Sequence, residues 1–179
     1  MDGEVMAPRA RTVWIALAAT VALALVLVRL GAPLRTGAAP LGILSFEFAH
    51  TARTAAAILA SWGEAARGAA RVNLAVDYLF LIAYATSLRL GCRAVAARVA
   101  ARWPWLAMLA LAAGWGGVLA GALDATENAA LLVQLRSGAA PVAAAIAYWC
   151  ASIKFALVAV ALPVALPALV PWSVAAPQQ

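Results

Sequence analysis

The sequence predicts an all-α integral membrane protein, a four-helix bundle with one additional amphipathic helix at the membrane interface. The first observation is composition: 66% of the 179 residues are apolar and 11% are charged, whereas an average soluble domain is roughly 45–50% apolar. The second is that four segments are apolar over the ~20 residues that a helix needs to cross ~30 Å of hydrocarbon. The third is an apolar stripe of helical period between the first two segments. Together they indicate one membrane domain over residues 1–179.

The four predicted spans cover about residues 12–30, 72–90, 103–135 and 141–163. The first contains an uncharged stretch of 17 residues, 12–28, which is longer than the apolar region of ~7–15 residues that is typical of a signal peptide. We therefore expect an uncleaved span, with a cleaved signal peptide as the alternative.

The third and fourth spans have features that affect their length. At ~1.5 Å per residue, a helix over 103–135 is ~50 Å long, so it must tilt or protrude from the bilayer. The fourth span begins at Pro141, which suits a first helical turn. Pro163 opens a series of prolines in the same segment, and an interior proline removes a backbone hydrogen bond. We therefore expect the regular helix to weaken or kink from about Leu162.

Residues 43–62 carry apolar side chains at three- and four-residue steps, which is typical of an amphipathic helix on a membrane surface. The stripe consists of Leu44, Phe48, Ala52, Ala55, Leu59 and Trp62. A re-entrant or spanning segment is disfavoured, because Glu47, His50 and Arg53 would all need partners in lipid. We interpret these three residues as a solvated face or, for Glu47 and His50, as a lid over the outer mouth of the bundle.

The excess of basic residues is interpreted as a topology signal. The net charge is +6, but the arginines flank apolar runs and do not gather on one face with stacking aromatics, which excludes a nucleic-acid partner. An excess of arginine in short loops marks the cytoplasmic side, and we therefore expect both termini to be cytoplasmic. The arginines on that side are Arg9, Arg11, Arg89, Arg93, Arg98 and Arg102. The predicted interfacial belt consists of Trp14, Trp103, Trp105 and Trp172.

The choice of basic residue indicates the source. Twelve of the thirteen basic residues are arginine, and alanine is abundant, which is the pattern of a GC-rich bacterial gene. We therefore expect a multi-pass protein of the plasma membrane.

Motifs for metal or cofactor chemistry do not occur in the sequence. His50 is the single histidine, which excludes a bis-histidine or H-E-x-x-H site. Cys92 and Cys150 fit no metal-ligand spacing, and we interpret both as small buried apolar residues. P-loop, dinucleotide-binding and nucleophile-elbow signatures are missing as well. We therefore expect no metal and no cofactor.

Small residues predict a packing face on the third span. Gly117 and Gly121 form a G-x-x-x-G pair within a run of small residues at four-residue spacing, from Ala113 to Ala129. Helices in a bilayer associate through close backbone approach at such residues. We expect this face to contact another helix, either in the same chain or in a second copy, so a homo-oligomer stays open.

Five polar residues in the last three spans form the predicted ligand-binding site: Asp77, Asp124, Glu127, Asn128 and Lys154. Asp124 and Asn128 project from nearly the same side of the helix as the glycines, and lipid-facing carboxylates would be costly. We therefore expect this patch to face protein. The alternative is that the helix has already left the bilayer at this turn, so that Asp124 and Glu127 are solvated.

The hairpin between the third and fourth spans predicts a partner for the lysine. Folding the chain antiparallel about residues 137–140 places Asp124 and Lys154 at similar depth. We therefore expect Lys154 to pair with Asp124 in preference to Asp77. The same construction on the second and third spans places Asp77 near Gly116, about eight residues deeper than Asp124. Because acids outnumber cations in a low dielectric, we expect at least one carboxyl to keep its proton near neutral pH.

Three function classes stay open at this point. We favour a binding or structural protein. In this class the polar network holds the bundle together and binds a membrane lipid or small ligand. The second class is an intramembrane enzyme on a lipid or isoprenoid, in which Asp77 or Asp124 is the candidate catalytic acid or base and Tyr84, Trp115 or Trp149 lines an apolar cavity. The third is a proton-coupled transporter subunit, which would need to oligomerise because one four-helix chain lacks the internal repeats of most carriers.

Overall fold

The computed structural model describes residues 6–170, and this part of the chain is helical without a β-strand. Its α-helices are α1 (Ala10–Leu30), α2 (Ile43–Glu47), α3 (Ala52–Ser61), α4 (Glu64–Val99), α5 (Pro104–Ser137) and α6 (Pro141–Ala165). Short 3₁₀ helices follow α1 at Ala32–Leu34 and α6 at Leu166–Leu169. The prediction of an all-helical chain is confirmed.

Four helices are long and apolar enough to cross a membrane, by length and composition: α1, α4, α5, and α6 with the 3₁₀ turn that follows it. The prediction of several long apolar helices is therefore confirmed. Helix α4 has 36 residues and extends beyond the expected 72–90 at both ends. Its end turns carry Glu64 and Arg98, and Glu and Arg are good helix formers. Hydropathy thus detects only the apolar middle of a longer helix.

The segment 43–62 forms two helices in place of the single amphipathic helix that its periodicity predicts. Helix α2 begins after Gly42, whose φ of 64° is readily adopted only by glycine. Helix α3 begins after Thr51, whose side chain accepts a hydrogen bond from the Thr54 N–H at 3.1 Å. This capping bond starts a new helix at a point where the apolar stripe continues without interruption.

Helix α6 accommodates its interior proline and continues three residues past the expected point of weakening, to Ala165. The 3₁₀ turn follows, and the Arg98 guanidinium donates to the carbonyls of Pro167 (2.8 Å) and Ala168 (3.0 Å). These bonds tie the end of α4 to the turn that follows α6. Trp172, predicted to belong to the tryptophan belt, lies outside the described residues.

The glycine face of α5 packs against α4 within the same chain. A Cβ atom at Gly117 would lie 2.9 Å from the Leu88 Cβ, and one at Gly121 would lie 3.1 Å from the Ala85 Cβ. Only a residue without a side chain allows the two helices to approach this closely. Helix α5 also packs extensively against α6, so that α5 is the central helix of the bundle.

The short helices α2 and α3 cover one end of the bundle. Phe46, Ile58 and Trp62 are almost fully buried there with Leu131 of α5. The Trp62 indole N–H donates to the Leu34 carbonyl at 2.8 Å, which ties this cover to the chain that leaves α1. The cover therefore holds α2 in a fixed position beside α5 and α6.

The cysteines differ from each other in their surroundings. Cys92 of α4 is fully buried against α6, as expected. Cys150 is only partly buried, so the interpretation of both thiols as buried residues is wrong for Cys150.

Candidate functional site

A buried ammonium group lies at the centre of the polar residues. The Lys154 Nζ is 2.6 Å from the Asp124 Oδ1, 2.8 Å from the Glu127 Oε2 and 3.6 Å from the Glu47 Oε2. Each of these four side chains is less than a tenth exposed, and Glu127 is completely buried. We call Glu47, Asp124, Glu127 and Lys154 the lysine cluster.

The local structure of α5 and α6 explains how the cluster assembles. Asp124 and Glu127 are three residues apart, so both project from one face of α5. The chain reverses at Gly138, which has a φ of 88°, and α6 then runs back along that face. This turn brings Lys154 to the level of Asp124, the depth and the pairing that the hairpin construction predicts. The solvated alternative for Asp124 and Glu127 is wrong, because both are buried.

Asp77 lies beside the cluster and not deeper in the bundle. Its Oδ2 accepts a hydrogen bond of 2.6 Å from the Asn128 amide, so the predicted level near Gly116 is wrong. The error arises because α4 continues to Val99 and the chain reverses only at residues 100–103. A later reversal shifts the antiparallel register toward the C-terminal end of α5.

Asp124 is the most fully bonded acid of the set. Its Oδ1 contacts Lys154, and its Oδ2 accepts a hydrogen bond from the Tyr84 hydroxyl at 3.0 Å. Tyr84 therefore lies at the site, as the enzyme hypothesis expects. Trp115 and Trp149 do not, because they are 60% and 58% exposed on the outside of the bundle.

Glu47 is the member of the cluster that sequence reasoning missed. The amphipathic interpretation placed it on a solvated face, but it is 7% exposed and reaches the cluster from α2. Burial raises the pKa of Glu47 above its ordinary value, against the opposing effect of the nearby ammonium. His50 and Arg53 are exposed, in keeping with a solvated face. The sequence does contain a local indication that Glu47 is buried, because this residue lies between two phenylalanines.

Acidic groups outnumber the cation that they surround. Three carboxyl groups contact the single ammonium, and Asp77 adds a fourth acid beside Asn128. Within residues 6–170, the Glu127 Oε1 and the Glu47 Oε2 have no hydrogen-bond partner. The site therefore holds more acceptor capacity than the described residues use, which favours protons, donors or a cation as additional partners.

A cavity of about 510 Å³ opens next to the cluster. Its polar end is formed by Arg35, Glu47, Asp77, Asp124 and Lys154, and the rest of its wall is predominantly apolar. Of the five residues predicted to bind a ligand, Asp77, Asp124 and Lys154 line this cavity. The other two, Glu127 and Asn128, are buried behind them and do not belong to its wall.

The apolar part of the cavity runs along the helices. Asp77 and Gly91 both belong to its wall and are fourteen positions apart on α4, a distance of ~21 Å at ~1.5 Å per residue. Helix α1 forms a second wall and α6 a third. In the described part of the chain α1 packs mainly on α4, without an extensive contact to α6. The cavity is thus a long groove with its open side between α1 and α6.

Histidine, cysteine and acidic side chains form no group of three or more with metal-binding geometry among residues 6–170. Comparison of the chain with protein-family models, with curated proteins and with solved structures finds no match. The geometry of the lysine cluster and of the groove therefore carries the functional argument.

Proposed function

We propose that this chain is a multi-pass protein of the bacterial plasma membrane that binds an amphipathic molecule with a single long apolar chain. The apolar chain lies in the groove between α1, α4 and α6, and the head group lies at the lysine cluster. The membrane lipids are the source of this ligand. Helices α2 and α3 lie at the outer membrane interface and cover the bundle there.

Insertion into a membrane is supported by the surface of the long helices. Large apolar side chains are exposed along α1, α5 and α6, among them Leu25, Leu109 and Val160. Exposing so many apolar side chains to water would be unfavourable, whereas in a bilayer they contact lipid tails. Apart from Asp77, the charged residues of α4 lie within its first eight and its last eleven residues, from where long side chains would reach the head groups.

The orientation with cytoplasmic termini is supported by contacts at one end of the bundle. The Arg93 guanidinium donates to the Met6 carbonyl at 3.3 Å, and Arg98 binds the carbonyls after α6. The start of α1, the end of α4 and the end of α6 therefore share one side. Arg102 of the short α4–α5 connection lies at that same end with Arg93 and Arg98, and the positive-inside rule assigns such an end to the cytoplasm.

The groove is the single observation that carries the proposed binding function. It combines an apolar wall of ~21 Å along α4 with charged side chains at one end only. The ~30 Å hydrocarbon core holds two leaflets, so the groove is long enough for a chain that spans one leaflet. Binding sites for amphipathic ligands have this arrangement of an apolar wall with a few polar groups that fix the orientation.

The bonding of Asp124 argues against this residue as the catalytic acid or base. Both of its carboxylate oxygens are engaged, one by Lys154 and one by Tyr84. A general base needs a free oxygen within hydrogen-bond reach of the proton that it removes. Asp124 therefore serves to hold Lys154 and Tyr84 in place at the head-group end.

The test is to fill the groove. Val158 lines it from α6, and Val160 lies two residues away on the exposed outer face. We expect Val158→Trp to weaken binding of single-chain amphiphiles by about tenfold or more, which is ~1.4 kcal/mol, and the matched control Val160→Trp to bind normally. Binding is measured by native mass spectrometry of the detergent-purified protein with an alkylamine, an alcohol and a fatty acid of equal chain length.

Two results would contradict the proposal. One is that none of the three amphiphiles binds the unmodified protein. The other is that Val158→Trp binds them as well as Val160→Trp does, while both variants keep the thermal unfolding temperature of the unmodified protein.

A further inference from the structure

The ammonium group in the groove is surrounded by carboxyl groups of the protein itself. Lys154 donates a hydrogen bond to Asp124 at 2.6 Å and forms ion pairs with Glu127 at 2.8 Å and with Glu47 at 3.6 Å. An anionic head group that approaches Lys154 would have to displace one of these carboxylates. Lys154 is therefore a poor anchor for a phosphate or a carboxylate.

Two acids at the same end of the groove have acceptor capacity left. Asp77 is half-buried in the wall and accepts a hydrogen bond through Oδ2, whereas its Oδ1 accepts none from the described residues. Glu47 is more than nine-tenths buried, also lines the groove, and its Oε2 has no hydrogen-bond donor among residues 6–170. The Asp77 carboxyl therefore offers an oxygen to a molecule inside the groove, and Glu47 adds a second carboxyl group at the same end.

The charge around these two acids also favours a positively charged ligand. Glu47, Asp77 and Asp124 line the polar end of the groove together with the cation Lys154. Glu127 adds a further carboxyl group behind them. The other basic side chain of the wall, Arg35, is exposed at the rim. The excess of carboxyl groups attracts a positively charged group to the polar end of the groove and repels a negatively charged one.

We infer that the head group of the bound molecule is an amine, held by the carboxylates of Asp77 and Glu47. A primary ammonium group supplies three N–H donors and the positive charge that this end of the groove lacks. The preferred ligand class is thus a single-chain amphiphile with an amino group. This inference rests on the proposed binding function and specifies its ligand.

The experiment compares an alkyl primary amine, an alcohol and a fatty acid of equal chain length, each titrated against the full-length protein in lipid nanodiscs. Only the part of the signal that Val158→Trp abolishes is counted as binding. This correction excludes the signal from ligand that simply partitions into the bilayer. We expect the amine to bind about tenfold or more tightly than the fatty acid, with the alcohol between them.

The variant Asp77→Asn tests the acceptor directly. It keeps the size of the side chain and removes its charge, so we expect it to weaken amine binding by about tenfold and to leave alcohol binding within about twofold. Glu64→Gln is the matched control, because Glu64 is an exposed acid on the same helix and outside the groove. It changes the net charge equally and should leave all three titrations unchanged.

A measurement on the unmodified protein keeps the inference testable where a variant does not fold. The amine is compared with its trimethylammonium analogue, which has the charge without N–H donors, and the primary amine should bind more tightly. The inference is overturned if the fatty acid binds as tightly as the amine, if the trimethylammonium analogue matches the amine, or if Asp77→Asn weakens all ligands equally. In each of these cases the proposed function is still supported if Val158→Trp blocks binding. The proposed function is refuted if Val158→Trp blocks the binding of none of the ligands.

Discussion

The central helix α5 and the peripheral helix α1 are both apolar, yet they are packed in opposite ways. Thirteen residues of α5 are buried, because glycines and alanines bring its backbone close to α4 and α6. In α1 only Val13 is buried among the described residues. Its side chains lean on α4 and line the groove, and a large part of its surface faces outward.

This difference separates the two requirements of the proposed site. The charged residues need a rigid frame, because a buried charge is tolerated only when its partners stay in place, and the tight α4–α5–α6 packing supplies that frame. The apolar chain of a ligand needs a wall that leaves room for it, and α1 supplies that wall. Breaking the frame should therefore cost much stability, and loosening the wall should cost little.

The largest effect is expected from removing the cation at the centre of the frame. Lys154→Met keeps much of the side-chain volume but leaves three carboxyl groups without their shared partner, and breaking a buried ion pair in this way costs about 3–5 kcal/mol. We expect a loss of this size in the free energy of unfolding, measured by denaturant titration in detergent.

The neighbouring substitution Ile153→Met is the matched control for Lys154→Met, because Ile153 is 46% exposed on the same helix. It should change the stability little. The double variant Lys154→Met with Asp124→Asn should regain part of the loss, because one carboxylate fewer is left uncompensated. Equal stability of Lys154→Met and the unmodified protein would show that the cluster does not hold the frame.

A smaller effect is expected where α5 meets α4. In Gly117→Ala the new Cβ would lie 2.9 Å from the Leu88 Cβ, whereas in Gly116→Ala the nearest contact is the end of the Leu157 side chain at 3.6 Å. Overpacking typically costs about 1–3 kcal/mol, and replacing glycine by alanine inside a helix gains about 1 kcal/mol. We therefore expect Gly117→Ala to destabilise the protein and Gly116→Ala to stabilise it slightly, as measured by thermal unfolding. Similar shifts for both variants would contradict the close approach at Gly117.

The parts of this frame that were predictable are those set by short-range geometry. The pairing of Lys154 with Asp124 follows from a hairpin with a short connection, in which an error of one residue shifts the depth by only ~1.5 Å. The glycine spacing predicted a packing face on α5 because backbone approach requires small residues wherever the partner lies. Which helix would fill that face was not encoded in the spacing.

The parts that were missed depend on where helices end and on tertiary contacts. The level of Asp77 was wrong because hydropathy does not detect the charged turns that carry α4 to Val99. Glu47 was assigned to a solvated face because the apolar stripe runs through the break at Phe48 and Thr51. The groove itself has no signature in the sequence, since it arises from the way α1 stands apart from α6.

The smallest effect on stability is expected at the wall formed by α1. Thr20 donates its hydroxyl hydrogen to the Ala16 carbonyl, so the Ser87 hydroxyl of α4 donates to Thr20 at 2.9 Å across the two helices. Thr20→Val removes this bond at similar volume, and such side-chain bonds between membrane helices average about 0.6 kcal/mol. We therefore expect global stability to fall by no more than about this amount.

Hydrogen exchange should nevertheless separate the wall from the frame. Helix α1 has a single buried residue among the described ones, and the Thr20–Ser87 bond joins it to α4 together with the bond from the Asn73 amide to the Leu27 carbonyl at 3.0 Å. Thr20→Val should therefore speed amide exchange in α1 and leave exchange in α5 unchanged. Thr126→Val is the matched control, since the Thr126 hydroxyl bonds only to the Ala122 carbonyl of its own helix and α1 should keep its protection there. Equal protection of α1 in both variants would mean that α1 belongs to the frame, and the proposed difference in packing between α1 and α5 would then not extend to their stability.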